Sequence, residues 1–107
     1  MAIVEFLDCC PNPDIKTIKS VFEGAHDEEA LKKCIHCGVY WFFRFHEYWD
    51  DYTTWHTKIT DEEAETILQN QDRRKLNLAY LCKRESIRWE DGEVTVTKGQ
   101  PGDPFIY

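Results

Sequence analysis

Two cysteine groups, Cys9-Cys10 and Cys34-Ile35-His36-Cys37-Gly38, are the residues whose type and spacing most directly suggest chemistry. Thiolates two residues apart can converge on one tetrahedral ion, and a glycine directly after the second lets the chain turn sharply. The competing reading of Cys-x-x-Cys is redox. That reading needs a strand ending and a helix beginning at the motif, so that helix amides lower the pKa of the first thiol. Here an aromatic run with strand character follows, Val39 to Trp49, which favours metal. With Cys9 and Cys10 supplying the other half, the expected ligands are Cys9, Cys10, Cys34 and Cys37, the expected ion is zinc, and four protein ligands make the site closed and structural. Adjacent thiolates are a tight fit on one ion, so His36, His26 and His46 are alternative sources of a fourth ligand. The plainer alternative is four buried, reduced cysteines with no metal. The fifth cysteine, Cys82, sits in Leu78-Ala79-Tyr80-Leu81-Cys82 and reads as a small buried hydrophobe.

Other candidates have simpler explanations. One register of the central hairpin sets His46 opposite His56, but the same register sets Arg44 opposite Lys58, an unfavourable like-charge pair. Glu62, Glu63 and Glu65 suit the first turn of a helix, where acidic residues complement the dipole, better than acid/base chemistry. Arg73-Arg74-Lys75 reads as a solvated helix surface. No glycine-rich phosphate loop, nucleophile elbow or metalloprotease motif occurs, which argues against an enzyme. The aromatic band is more suggestive. Four Trp, five Tyr and six Phe exceed what one small core hides, and Glu47, Tyr48, Asp50, Asp51 and Tyr52 combine aromatic anchors with a charged rim, the make-up of a partner-binding surface.

Several elements must position these residues. Ala2 to Leu7 predicts a strand. Asn12-Pro13-Asp14 offers a cap, a first-turn proline and a favourable carboxylate, and Ile15, Ile18, Val21 and Phe22 recur at helical spacing, so a helix is expected up to Gly24. Val39 to Trp49 and Tyr52 to Ile59 predict a hairpin with Trp41, Phe43, Phe45 and Trp55 on its core face. Thr60-Asp61-Glu62-Glu63 is a capping box opening a helix, and Asp72 to Arg84 predicts another. Ile87 to Thr97 reads as a hairpin about Asp91-Gly92. The tail from Gly99 to Tyr107 is expected to be extended and to dock through Phe105 and Tyr107. Strands and helices segregate, so the expected class is α+β, with an antiparallel sheet, a knuckle and two or three packed helices in one domain spanning residues 1–107.

The knuckle-then-strand order of Cys34-Ile35-His36-Cys37-Gly38 resembles the zinc ribbons over roughly residues 9 to 59, departing from them in its adjacent Cys9 and Cys10. By size, charge, aromatic content and class, the chain is more loosely similar to the small acidic immunity proteins that protect bacteria from their own secreted toxins. Twenty acidic residues against thirteen basic ones give a net charge of -7, which disfavours nucleic acid and anionic membranes as partners. The N-terminus lacks the pattern of a secretion signal and the cysteine count is odd, so reduced thiols and a cytoplasmic location are expected. These features predict a non-enzymatic acidic protein that engages a basic protein partner, as an inhibitor or immunity protein for a toxin does. The alternative is a zinc-ribbon adaptor on nucleic acid, which requires Arg44, Lys58, Arg73, Arg74 and Lys75 on one face.

Overall fold

The computed structural model describes residues 9–48, 51–70 and 75–99, and of Tyr48 and Asp51 only the backbone. Six strands follow in chain order and lie side by side in that order: β1 (Ile15–Glu23), β2 (Asp27–Cys34), β3 (Tyr40–Tyr48), β4 (Asp51–Ile59), β5 (Glu85–Glu90) and β6 (Glu93–Lys98). Every neighbouring pair is antiparallel. Between β4 and β5 lie one α-helix, α1 (Asp61–Gln69), and a 3-10 turn at Ala79–Cys82. The α+β expectation of two or three helices is thereby corrected: the fold is predominantly a β-meander with a single α-helix among the described residues. No helix among them is long and apolar enough to cross a membrane. The strand expected over Ala2 to Leu7, and the tail with Phe105 and Tyr107, lie outside the described residues.

The helix expected from Asn12 to Gly24 is strand β1, and its register explains the misleading pattern. Pairing with β2 shifts between Thr17 and Lys19 and again between Ser20 and Phe22, so Ile18 and Val21 are extra residues in the strand. Two such bulges three residues apart turn the two-residue alternation of a strand into an apparent helical repeat. The second expected helix, Asp72 to Arg84, is replaced among the described residues by the 3-10 turn. Asn77 there accepts a hydrogen bond from the Ala79 amide at 3.2 Å, a local bond that competes with helix continuation. Helix α1 forms as its capping box dictates: the Glu63 amide donates to Thr60 Oγ1 at 3.1 Å and the Thr60 amide to Glu63 Oε1 at 2.8 Å. Its far end has no basic residue of its own, and Lys19 from β1 donates to the carbonyls of Ile67 and Asn70 instead. The β5–β6 hairpin turns at Asp91 and Gly92, both at positive φ (49° and 82°), as a type I′ turn requires.

The sheet has two apolar faces. Leu31, Phe42 and Ile59 on one face pack against Ala64 and Ile67 of α1, with Leu76 and Leu81 completing this main core. Trp41 and Ile87 lie on the other face with Cys9, Ile15 and Val39 packed against them. This corrects the expected core face of the central hairpin. Tyr48 pairs with Asp51, Arg44 with Trp55 and Phe43 with His56, so Trp55 shares a face with Phe42 rather than with Trp41. Trp41 and Trp55 are buried, whereas Phe43 and Phe45 are half-buried and line an open cleft. His46 pairs with Thr53 and lies on the face opposite to His56, so the two histidines are no pair.

Candidate metal centre

The four cysteines of the two groups meet at one end of the sheet. Cys34 closes β2 and is buried, while Cys37 lies in the tight turn into β3, exposed. The turn is held by the Cys34 amide donating to the Val39 carbonyl at 2.9 Å and the Gly38 amide to the Cys34 carbonyl at 2.8 Å, with Gly38 at φ 82°. A side chain at that φ would strain the backbone, so the glycine is what lets the second thiol fold back toward the first. The N-terminal segment crosses the knuckle: the Ile35 amide donates to the Asp14 carbonyl at 2.8 Å, and the Asp14 amide approaches Cys34 Sγ at 3.5 Å. This crossing delivers Cys9 and Cys10. All four Sγ atoms lie within 4.8 Å of one another, so together they could hold a metal ion. Cys10 Sγ and Cys34 Sγ are 3.8 Å apart. Two thiolates on a tetrahedral ion with metal–sulfur bonds of about 2.3 Å lie about 3.8 Å apart, whereas a disulfide bond is about 2.05 Å long.

The electrostatics of the cluster are those of thiols crowded together. Burial pushes the Cys34 thiol up, yet amide donors from Asp14, Cys37 and His36 outweigh it and hold the thiol down at about 6. Burial, reinforced by the neighbouring Cys37 and Cys34 thiols, pushes Cys9 up to about 12, and Cys10 is raised for the same reasons. One thiolate therefore forms readily, while Cys9 and Cys10 resist following. A divalent cation reverses that order, because it stabilises every thiolate at once.

The histidines considered as fourth ligands are engaged elsewhere. His36 Nδ1 meets the Asn12 carbonyl, His26 faces Glu47 at 3.7 Å and His46 Nδ1 contacts Asp27 at 2.8 Å. Cys82 is exposed, which corrects the expectation of a buried residue: the 3-10 turn buries Leu81 and turns the next side chain outward. Of the expected partner-binding residues, Glu47 is exposed beside Tyr52 across the β3–β4 ladder, and Tyr52 stacks on Trp89 with ring centroids 4.9 Å apart. Asp50 lies outside the described residues, as do the side chains of Tyr48 and Asp51.

Sequence reasoning missed a buried ionic network on the helix-bearing face. Arg44 reaches Glu29 at 3.2 Å and Asp27 at 3.4 Å, and His46 joins through Asp27. Its only sequence signal was a lone arginine inside an aromatic strand. Also unforeseen was a cleft of about 620 Å³ on the opposite face, walled by Phe43, Phe45 and Tyr52 with Thr54 and His56 below. Burial, with the positive charge of Lys32 adding to it, lowers His56 to about 3. The chain matches no protein-family model, no curated protein and no solved structure.

Proposed function

We propose that the chain is a non-enzymatic binding protein, stapled by a zinc ion on Cys9, Cys10, Cys34 and Cys37, that captures a basic protein partner at the acidic end of its sheet. The observation that carries this reading is the gathering of carboxylates at the end away from the cysteines. In the last rows of the ladder Glu23 pairs with Glu28 and Glu90 with Glu93, each a like-charge pair directly across neighbouring strands. Glu47 and Asp91 add to the same end, and the stacked Tyr52 and Trp89 lie between the acidic corners. Directly opposed like charges cost stability in the free protein, and a basic partner relieves that cost. The opposite end carries Lys16, Lys33, Lys58 and Lys98, of which Lys16 is paired with Asp14 and Lys98 lies across from Glu85, so that end is the less acidic of the two.

An inhibitor or immunity protein for a cationic toxin fits this arrangement. The adaptor reading loses support because Arg44 is buried in ion pairs on one face while Lys58 lies on the other, over the Trp41 ring. Zinc is the preferred ion because four thiolates in tetrahedral spacing suit it, and a small domain gains directly when metal binding contributes to folding. The deciding experiment measures binding of the zinc-loaded chain to basic proteins of its source organism across salt concentrations. The expected partner associates fast at low salt and steeply more slowly as salt rises. Preferential, salt-sensitive binding to DNA or RNA would replace this reading with the adaptor.

A further inference from the structure

The cleft on the sheet face opposite α1 contains a buried hydroxyl with no partner among the described residues and a partly desolvated ammonium. Lys32, half-buried on β2, holds its ammonium 3.7 Å above the centroid of the Phe43 ring, and the charge of Glu28 attracts it without a direct ion pair. Thr54, on β4, is 2% exposed, and its hydroxyl is fully buried with no hydrogen-bond partner among them. Both residues line the same cavity of about 620 Å³, together with Phe45 and Tyr52, whose rings lie 5.4 Å apart. The size falls within the range of small-molecule sites, and such sites pair apolar walls with a few convergent polar groups. A buried hydroxyl and a partly desolvated ammonium are each costly to leave unanswered, and a carboxylate answers both.

We propose that this cleft binds a small aromatic carboxylate, its carboxylate on Lys32 Nζ and Thr54 Oγ1 and its ring against Phe45 and Tyr52. This goes beyond the capture of a basic partner: Lys32 and Thr54 take no part in that capture, although Tyr52 and Glu28 border both surfaces. Glu28, also on the cleft wall, already attracts the Lys32 ammonium, so the ligand's carboxylate competes with it and a second negative charge is disfavoured further. The same chemistry is offered by a free aromatic acid and by the terminal carboxylate of a peptide ending in phenylalanine.

The test is a titration of the zinc-loaded, full-length protein, followed by amide NMR and by fluorescence of Trp89 beside Tyr52. The probes are benzoate, phenylacetate and 3-phenylpropionate, with benzamide and acetate as controls. The expected result is saturation by at least one aromatic acid below about 10 mM, with shifts centred on Phe43, Thr54 and His56, and binding at least about tenfold weaker for benzamide and acetate. Lys32→Met is expected to weaken binding about tenfold or more, and the isosteric Thr54→Val about threefold or more, with circular dichroism unchanged in both. Tighter binding of N-acetyl-glycyl-phenylalanine than of 3-phenylpropionate assigns the natural source to a peptide terminus, and the reverse order to a free acid. No saturation by any of the three acids, equal binding of benzamide or acetate, or undiminished binding to folded Lys32→Met would overturn the proposal.

Discussion

Arg44 and Glu29 face each other across β3 and β2, the guanidinium Nη1 3.2 Å from the carboxylate Oε2, with both side chains 2% exposed. Charges this deeply buried survive only as a set, because each one's desolvation is offset by the others. Asp27 extends the set from Arg44 to His46, which is 38% exposed on its side chain, so the network runs from the interior of the sheet to its surface.

Removing one member should therefore cost far more than removing the pair. Arg44→Met leaves Glu29 buried without its cation and is expected to destabilise the protein by about 3–5 kcal/mol. Arg44→Met with Glu29→Leu should recover most of that loss. Urea unfolding of the two variants checks this, and equal destabilisation of single and double variants would contradict it.

The metal centre makes a compositional prediction. Purified protein should carry about one zinc per chain, and chelation should lower its melting temperature by loosening the N-terminal crossing from the knuckle. Cys34→Ser, which removes the buried ligand, should abolish stoichiometric zinc. Cys82→Ser should leave the metal content unchanged, since Cys82 is exposed on the 3-10 turn and does not belong to the cluster. Elemental analysis of protein prepared without chelator decides between these outcomes.

The corrected faces of the central hairpin separate neighbouring aromatics. Trp41→Ala and Phe42→Ala each remove a side chain at most 1% exposed and should cost about 3–5 kcal/mol, comparable with the whole stability of a small domain. Phe45→Ala, on the cleft wall, should cost clearly less. Similar losses at Phe42 and Phe45 would mean that the open face is covered.

His56 gives the protein an acid-sensitive interior. Its pKa in the folded state is about 3, against about 6.5 in an unfolded chain, so the unfolded state binds the extra proton between these values. The stability His56 permits is complete above about pH 6.5 and is lost as pH falls toward the folded value, by about 2 kcal/mol at pH 5. His56→Gln cannot take up that proton. The gap in unfolding free energy between wild type and this variant should therefore narrow by about 2 kcal/mol from pH 8 to pH 5, while thiol protonation affects both alike. A gap that stays constant would show that His56 does not carry this effect.

Local chemistry was legible in the sequence where it is self-contained. The Cys34 to Gly38 knuckle, the Thr60 to Glu63 capping box and the Asp91-Gly92 turn each specify their geometry within a few residues, and the structure contains all three, with Cys9 and Cys10 brought to the knuckle by the N-terminal crossing. What could not be read depends on partners distant in sequence. Asp27-Glu28-Glu29-Ala30-Leu31-Lys32-Lys33-Cys34 has good helix formers, yet it is strand β2 because β1 and β3 hydrogen-bond to both its edges. The bulges of β1 hid its alternation. A change of register between β3 and β4 was enough to move Trp55 to the other face and to bring Tyr52, Thr54 and His56 onto the face of Phe43, which forms the cleft; the arginine network depends instead on β2 lying beside β3.

The acidic end of the sheet makes a prediction in which stability and binding move in opposite directions. Glu93 sits directly across from Glu90, and Glu28 directly across from Glu23. Glu90 already accepts hydrogen bonds from Thr53 at 2.8 Å and from Arg88 at 2.7 Å, and Glu23 from Ser20 at 3.0 Å, whereas Glu28 and Glu93 form no ion pair or hydrogen bond among the described residues. Neutralising Glu93 therefore removes repulsion without breaking a contact, whereas at Glu28 the lost attraction to Lys32 offsets the gain. Glu93→Gln should stabilise the free protein by about 0.2–1 kcal/mol, an effect that shrinks at high salt, and Glu28→Gln should stabilise it less. The same substitutions should slow association with a basic partner at low salt while changing dissociation little, because rim charges act mainly on the encounter. Truncation of the aromatic anchor, Tyr52→Ala, should instead speed dissociation. Thermal melts and stopped-flow association on the same preparations read both effects. Loss of stability in Glu93→Gln, or association rates that ignore both substitutions, would mean that these carboxylates are not held in reserve for a cationic surface.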